Sequence, residues 1–314
     1  MKKNISVILI ITAVLFLNNM AFCFDQEAFL QNYLWYKVSS LPASKRPKII
    51  LVLGGGGARG LAHIGVIKAL EEENIPFDMI VGTSIGALVG SLYCSGISTN
   101  ELKNLANNIR WKDISNLNAI SMLTLVLSEK LLSTKKLEKY LRQTLGDKQF
   151  FQLDIPFACI ATDISTGERI ILKEGDVALA TRASSTIPGI FAPVEYGQRY
   201  LVDGGLVENI PVSVAKLFEP DIIITVSVAA DITKNSFSNV MSTLYQAIYI
   251  QGQQKDEINL AMSDIVIRPD VKDVSVLDLN KAENCIQSGF VAGKNNVNKI
   301  KEIIIKKIYE KHSN

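Results

Sequence analysis

The chain has 314 residues, 48% apolar and 20% charged with only 9 prolines, which excludes a disordered protein and allows a large core in one large domain or two small ones. Its formal charge is +2, and setting aside Lys2 and Lys3 leaves 31 Lys and Arg against 31 Asp and Glu. That balance argues against nucleic acid as a partner.

Residues 1–23 have the layout of a secretory signal: Lys2 and Lys3, an apolar core from Ile5 to Leu17, a polar break at Asn18-Asn19, and Ala21-Phe22-Cys23 before the cut. The apolar core is shorter than the ~20 residues a membrane span needs. Export to the periplasm, the exterior or a membrane-associated state is expected. An uncleaved anchor or lipidation at Cys23 are the alternatives, bulky Phe22 arguing against the second. Cys94, Cys159 and Cys285 have apolar neighbours and no CxxC spacing, so buried thiols are expected, with no metal site or disulfide framework.

Residues 24–46, with Pro42 and the polar run Ser44-Lys45-Arg46, read as a connector, and residues 47–314 as the folded domain. Within it 47–229 reads as the core and 230–314 as a C-terminal extension. The run Ile49 to Leu53 predicts a buried strand, followed by the glycine turn Gly55-Gly56-Gly57-Ala58-Arg59-Gly60 and a helix through Leu61, Ile64, Ile67 and Leu70. Met79-Ile80-Val81 predicts a second strand. It leads into Gly82-Thr83-Ser84-Ile85-Gly86 and an apolar helix, the setting of a nucleophile elbow.

Ser98 with Glu101 three residues on predicts a capping box and a helix through Leu102 and Leu105. From Trp111 to Leu132 the chain is markedly apolar with helical spacing, read as helices packed on a sheet or as an entrance or lid. Phe157–Ala161 and Arg169–Leu172 predict strands around the turn Ser165-Thr166-Gly167. A short helix from Asp176 to Arg182, a strand Tyr200–Val202 ending at Asp203-Gly204-Gly205, a helix from Val212 to Leu217 and a buried strand from Asp221 to Val228 follow. The last third predicts a helix around Met241–Asp256, a strand at Ile265–Ile267 and a terminal helix. That helix interleaves Val297, Ile300, Ile304 and Ile308 with lysines, fitting an ordinary terminal helix or a peripheral membrane contact. Strands alternating with helices define an α/β sheet covered on both faces.

The chemistry centres on Ser84. At a strand-to-helix turn its hydroxyl stands clear of the backbone at the head of a helix, where the dipole favours developing negative charge; the plainer reading is a helix N-cap. Its base has few candidates, since the only histidines are His63, in the helix after the glycine loop, and His312, two residues from the end. A Ser-His pair through His63 is one arrangement. A carboxylate is the other, and Asp203 is the best placed, ending a strand before two glycines; its plainer reading is an Asp-Gly turn. At a reference pKa of about 3.9 it needs desolvation or close alignment to act as a base.

Backbone N–H groups of Gly55, Gly56, Gly57 and Ile85 are candidates for an oxyanion hole, each typically supplying about 3 kcal/mol, with Arg59 supporting the loop. A rival reading takes Gly55–Gly60 as a GxGxxG dinucleotide fingerprint, with Glu72, Glu73 or Asp78 as the downstream acid. It leaves Ser84 and Asp203 without roles. No Gly-Lys-Ser/Thr follows, so a Walker A loop is excluded. A serine hydrolase is one expectation; a lipid- or dinucleotide-binding protein without catalysis is the alternative.

Four blocks resemble the patatin-like phospholipases, in particular the bacterial group similar to the catalytic domain of neuropathy target esterase. They are Gly55 to Val66, Gly82 to Gly86, Arg182-Ala183-Ser184-Ser185-Thr186-Ile187-Pro188-Gly189 and Leu201-Val202-Asp203-Gly204-Gly205. The resemblance covers about Pro47 to Ala229 and extends loosely to Pro269. It implies a three-layer α/β/α fold with a mainly parallel sheet, and a Ser84–Asp203 dyad. It also implies an oxyanion hole at Gly55 to Gly57, structural support from Ser184 to Gly189, and calcium-free release of fatty acids from membrane phospholipids or lysophospholipids without a cofactor. Glu219-Pro220 replaces the usual Gly-Ala before Asp221, away from the dyad.

Overall fold

A computed structural model describes residues 26–115, 131–228 and 240–313. The predicted signal segment and most of the apolar stretch 111–132 lie outside the described residues. Two compact units are present, one of residues 47–300 and one combining residues up to 46 with 301–314.

The larger unit is built on an eight-stranded mixed sheet in the order β5-β6-β3-β2-β1-β7-β8, with β4 paired to β3. The strands are β1 Ile49–Leu53, β2 Met79–Thr83, β3 Phe157–Asp163, β4 Arg169–Leu172, β5 Val194–Tyr196, β6 Arg199–Asp203, β7 Ile222–Val226 and β8 Ile265–Ile267. β3, β2, β1, β7 and β8 run parallel to their neighbours in that series. β4, β5 and β6 join antiparallel. In β1, β2, β3 and β7 every residue is buried, which is why these segments read as continuous apolar runs rather than alternating ones.

Alternate side chains face opposite layers. One face, with Ile50, Val52, Val81, Ile160 and Ile223, packs against the helix Val212–Lys216 and the end of Val240–Ala261 through Val214, Ala215 and Leu260. The other face lies under the helix Ile85–Cys94, where Gly90 approaches Leu53, Ile80 and Phe157. Sandwiched in this way, each β1 side chain is worth roughly 1.5–3 kcal/mol relative to exposure. The strand is thus a fixed anchor for the loop that leaves it. The three-layer α/β/α arrangement matches the expected fold.

The helices are numbered α1 Gln26–Ser39, α2 Ala62–Glu71, α3 Ile85–Cys94, α4 Thr99–Asn108, α5 Trp111–Ile114, α6 Lys135–Leu145, α7 Val177–Ser184, α8 Val212–Lys216, α9 Val240–Ala261 and α10 Ala282–Ser313. The capping box forms as expected: Ser98 Oγ accepts from the Glu101 N–H, and the Glu101 carboxylate accepts from the Ser98 N–H at 3.0 Å. Asp176 caps α7 by accepting from the Leu179 N–H at 2.7 Å. Cys94, Cys159 and Cys285 are free and buried.

In the smaller unit, the segment read as a connector instead forms α1. Trp35 and Val38 are buried, the Lys301 ammonium lies 5.4 Å from the Trp35 ring centroid, and Gln31 donates to Glu302. Pro42 and the polar run that suggested a connector occupy only its tail, where a single 3-10 turn spans Ala43–Lys45. Among the described residues, no helix is long and apolar enough to cross a membrane.

Candidate active site

Strand register brings the site together. β3 pairs with β2 as far as Thr83 opposite Ile160, and with antiparallel β6 starting from Ala161 opposite Asp203. The last residue of β2 and the last residue of β6 therefore face adjacent positions of one strand. Ser84, the next residue after Thr83, turns into α3 with φ 56° and ψ −123°, a conformation costly for a non-glycine residue. It makes no side-chain cap to α3. Instead its Oγ donates to Asp203 Oδ2 at 2.6 Å.

The elbow leaves no room for larger flanking residues. A Cβ on Gly86 would overlap the Leu53 carbonyl, so α3 can start this close to β1 only with glycine there. Hydrogen bonds from the 184–186 segment hold the rest. Ser184 Oγ accepts from the Ser84 N–H at 3.1 Å while donating to the Ile160 carbonyl at 2.6 Å. Ser185 Oγ donates to the Ser84 carbonyl at 3.1 Å. The Thr186 carbonyl accepts from the Asp203 N–H at 2.8 Å, and Thr162 Oγ1 donates to the Asp203 carbonyl at 3.0 Å. One short segment thus clamps the backbones of both residues, a supporting position like that expected of Ser184 to Gly189.

Asp203 is buried, and its Oδ1 accepts from the Gly205 N–H at 2.8 Å. Burial pushes its carboxyl up to about 6, against the opposing pull of the hydrogen bonds from Ser84 and Gly205. It remains ionised at neutral pH and is a far better proton acceptor than an exposed aspartate. His63 is fully buried, with Nε2 2.8 Å from the Gly54 carbonyl, and burial lowers its pKa to about 4. The ring is therefore neutral and its Nε2–H donates to that carbonyl, which makes it a brace of the glycine loop.

The loop itself corrects one expectation. The Gly55 N–H already donates to the Asn209 carbonyl at 3.0 Å, so Gly55 shapes the loop and is not free to hold an oxyanion. Gly57 adopts φ +56° and enters a 3-10 turn, Gly57–Leu61. Among the described residues the N–H groups of Gly56, Gly57 and Ile85 have no protein acceptor. All three residues line the cavities that open on Ser84. Arg59 is buried, and its Nε donates to the Gly56 carbonyl at 3.4 Å.

Two cavities meet at Ser84. Among the described residues one is walled almost entirely by apolar side chains, many of them from α3, α4, α5 and α6, including Leu88, Leu102, Ala106, Trp111 and Leu137. The other carries Asp203, Asn209 and Asp256. Asn209 and Asp256 were not singled out from the sequence. The signal available was helical spacing: Gly252, Asp256 and Asn259 share one side of α9, with Asp256 and Asn259 buried. A charge on that buried side differs from the solvated charges beside it.

A hydroxyl held on a buried carboxylate at the head of a helix, beside free N–H groups and an apolar cavity, can carry out acyl transfer on an apolar ester. The fold and this arrangement define the α/β class with a serine elbow. More specifically, the chain belongs to the patatin-like phospholipase family, whose model matches residues 51–216, just over half the chain.

An uncharacterised NTE family protein of Mycobacterium tuberculosis is 36% identical over 186 residues, 59% of this chain and 50% of the relative. Patatin-like phospholipase domain-containing protein 6 of Homo sapiens is 34% identical over 184 residues, 58% of this chain and 13% of that protein. Lysophospholipase nte1 of Emericella nidulans is 34% identical over 203 residues, 63% and 13% of the two chains. The chain thus spans half or less of these curated relatives. Among solved structures, VipD from Legionella pneumophila matches with a TM-score of 0.50 at 13% identity, over 81% of this chain and 67% of that one. Human GIVD cytosolic phospholipase A2 matches with a TM-score of 0.50 at 10% identity, over 92% and 65%. These two likenesses show the fold alone.

Proposed function

We propose that the protein is a serine acyl-ester hydrolase that releases fatty acids from phospholipids or lysophospholipids, with Ser84 as nucleophile and Asp203 as general base. The observation that carries this reading is the 2.6 Å bond from Ser84 Oγ to the buried Asp203 carboxylate, at the mouth of an apolar cavity. Ser84 Oγ attacks the acyl carbonyl as its proton passes to Asp203. The N–H groups of Gly56, Gly57 and Ile85 receive the oxyanion. Collapse of the tetrahedral intermediate expels the alcohol, which takes the proton from Asp203. Water then attacks the acyl-enzyme, gives its proton to Asp203, and the fatty acid leaves as Ser84 regains its hydrogen.

Family membership and the lysophospholipase name of one relative support a lipid ester as substrate. The apolar cavity suits the acyl chain. The proposal includes export directed by residues 1–23 and peripheral contact with the membrane that supplies the lipid.

A solved relative of this fold carries a lipid-like fluorophosphonate, which makes that reagent the natural probe. A fluorophosphonate should label wild type and not Ser84→Ala, and wild type alone should release fatty acid from mixed lipid vesicles, read by mass spectrometry. Equal labelling of both proteins would remove Ser84 from the mechanism. Saturable lipid binding without fatty-acid release would favour a binding protein instead.

A further inference from the structure

The loop that carries the free N–H groups does not stand alone. Residues 275–277, exposed or half-buried between the buried anchors Val274 and Leu279, lie against it. The Val276 carbonyl accepts the Ala58 N–H at 2.7 Å, within the 3-10 turn Gly57–Leu61. It also lies so close to Gly57 that a Cβ there would overlap it, and Gly57 holds φ +56° to pass it. Where Val276 stands therefore sets how the loop turns at Gly57 and where the Gly57 N–H points. Gly57 lines both cavities at Ser84, and Val276 lines the polar one.

Val276 is held in turn through its neighbour. Trp111 Nε1–H donates to the Leu277 carbonyl at 2.7 Å, and among the described residues Trp111 is the one side chain hydrogen-bonded to residues 275–277. Its own support, the short helix α5, is pinned on several sides. The Arg110 N–H donates to Asp113 at 2.9 Å, the Arg110 guanidinium donates to the Asn107 and Ile109 carbonyls, and Lys136 on α6 donates to the Lys112 carbonyl at 3.1 Å. The Trp111 bond lies at the surface, so water can satisfy both groups once it is broken. What breaking it removes is the tether, more than the pairing.

Resting on the hydrolase reading above, we propose that Trp111 is a positioning residue for the oxyanion hole: its indole N–H holds Leu277, so that the Val276 carbonyl fixes Ala58 and keeps the Gly57 N–H aimed at the acyl oxygen. Donors aimed in advance are what such a site supplies, and losing one outright costs about 10²–10³ in rate. Without the tether the donor is present but loosely aimed, which costs part of that. Trp111 also lines the apolar cavity, and a wall has a different signature. Loss of wall weakens the binding of long acyl chains and raises their KM. Loss of aim weakens the tetrahedral state and lowers kcat whatever the chain length.

The test replaces Trp111 in the full chain with benzothienylalanine, which keeps the shape of the indole but has sulfur in place of its N–H, and uses Trp111→Phe as a second variant. Readouts are kcat and KM on palmitoyl and butyryl esters, the melting temperature, and the Ki of a short-chain trifluoromethyl ketone, which adds to the serine and leaves an oxyanion in the hole. In both variants kcat should fall about tenfold on both esters with KM within about twofold, and the ketone Ki should rise about tenfold, at a nearly unchanged melting temperature. Unchanged kcat and Ki in the folded variants would overturn the assignment. So would a loss confined to KM for the palmitoyl ester. Should Trp111→Phe fail to fold, the benzothienyl variant decides. Failure of the hydrolase reading looks different: wild type would then hydrolyse neither ester and leave the ketone unbound, and both proposals would fall.

Discussion

Ser84 Oγ donates to Asp203 Oδ2 at 2.6 Å, joining residues 119 positions apart in sequence. Because burial holds the Asp203 carboxyl near 6, the ionised form that can accept the serine proton predominates only above that pH. The expected kcat/KM for a soluble short-chain ester falls about tenfold per pH unit below 6 and levels off above it. Asp203→Asn should lose on the order of a thousandfold at pH 8. A profile flat from pH 5 to 8 would remove Asp203 as the base.

The same burial has a consequence for stability, with the opposite sign to the usual carboxylate. Asp203 binds its proton more tightly folded than unfolded, so between about 3.8 and 6 the native state carries the extra proton and stability falls as pH rises. By pH 7.5 the cost is at most about 3 kcal/mol. Asp203→Asn does not ionise, so its melting temperature relative to wild type should climb from pH 4 to pH 7.5. A difference that stays constant across that range would contradict the raised carboxyl.

Ser184 gives a prediction about positioning. Its hydroxyl is buried between the Ser84 N–H and the Ile160 carbonyl, and Ser184→Ala leaves both without that partner. The expected loss is about 1–3 kcal/mol of stability from the unmet groups. The strained Ser84 backbone, less firmly held, should lower kcat more than it raises KM. Full activity with unchanged melting would mean that the elbow stands without this clamp.

Much of this arrangement was legible in the sequence, for identifiable reasons. β1, β2 and β7 are buried on both faces, so they appear as unbroken apolar runs, and the Gly82–Gly86 elbow shows as a motif because backbone crowding forces glycine at Gly86. The use of each loop N–H was not legible. Whether Gly55 points its N–H at a substrate or at Asn209 is a tertiary fact, set by the segment after β6. That segment is anchored by buried Glu208, which pairs with Arg169 and accepts from Ser213 at 2.7 Å. Asp256 was hidden for a related reason. It stands between the exposed Lys255 and Glu257, three consecutive charges in sequence, and the packing of α9 decides which of them is buried.

Gly86→Ala tests the elbow from the other side. The added Cβ would meet backbone, the Leu53 and Gly54 carbonyl groups, neither of which can rotate away as a side chain end could. Relief requires moving α3 off β1. Destabilisation of about 3 kcal/mol or more is expected, the upper range for overpacking a core, seen as a lower denaturation midpoint or as insoluble expression. Wild-type stability would show that the helix start is looser than the geometry requires.

The apolar cavity makes a prediction about chain length. Ala106 lies on α4, buried and lining that cavity alongside Leu102, Leu105 and Ile109, so a larger side chain there takes up cavity space. If the acyl chain occupies the cavity, Ala106→Phe shortens what fits, because a packed apolar site discriminates by one to a few methylenes at about 1–3 kcal/mol each. The ratio of kcat/KM for a palmitoyl ester to that for a butyryl ester should drop at least tenfold. A melting curve separates this from misfolding, since bulk added at a cavity wall should cost less stability than the same bulk in a close-packed core. An unchanged ratio in a folded variant would mean that the chain lies elsewhere, leaving the cavity between α3, α4 and α6 without the role assigned to it.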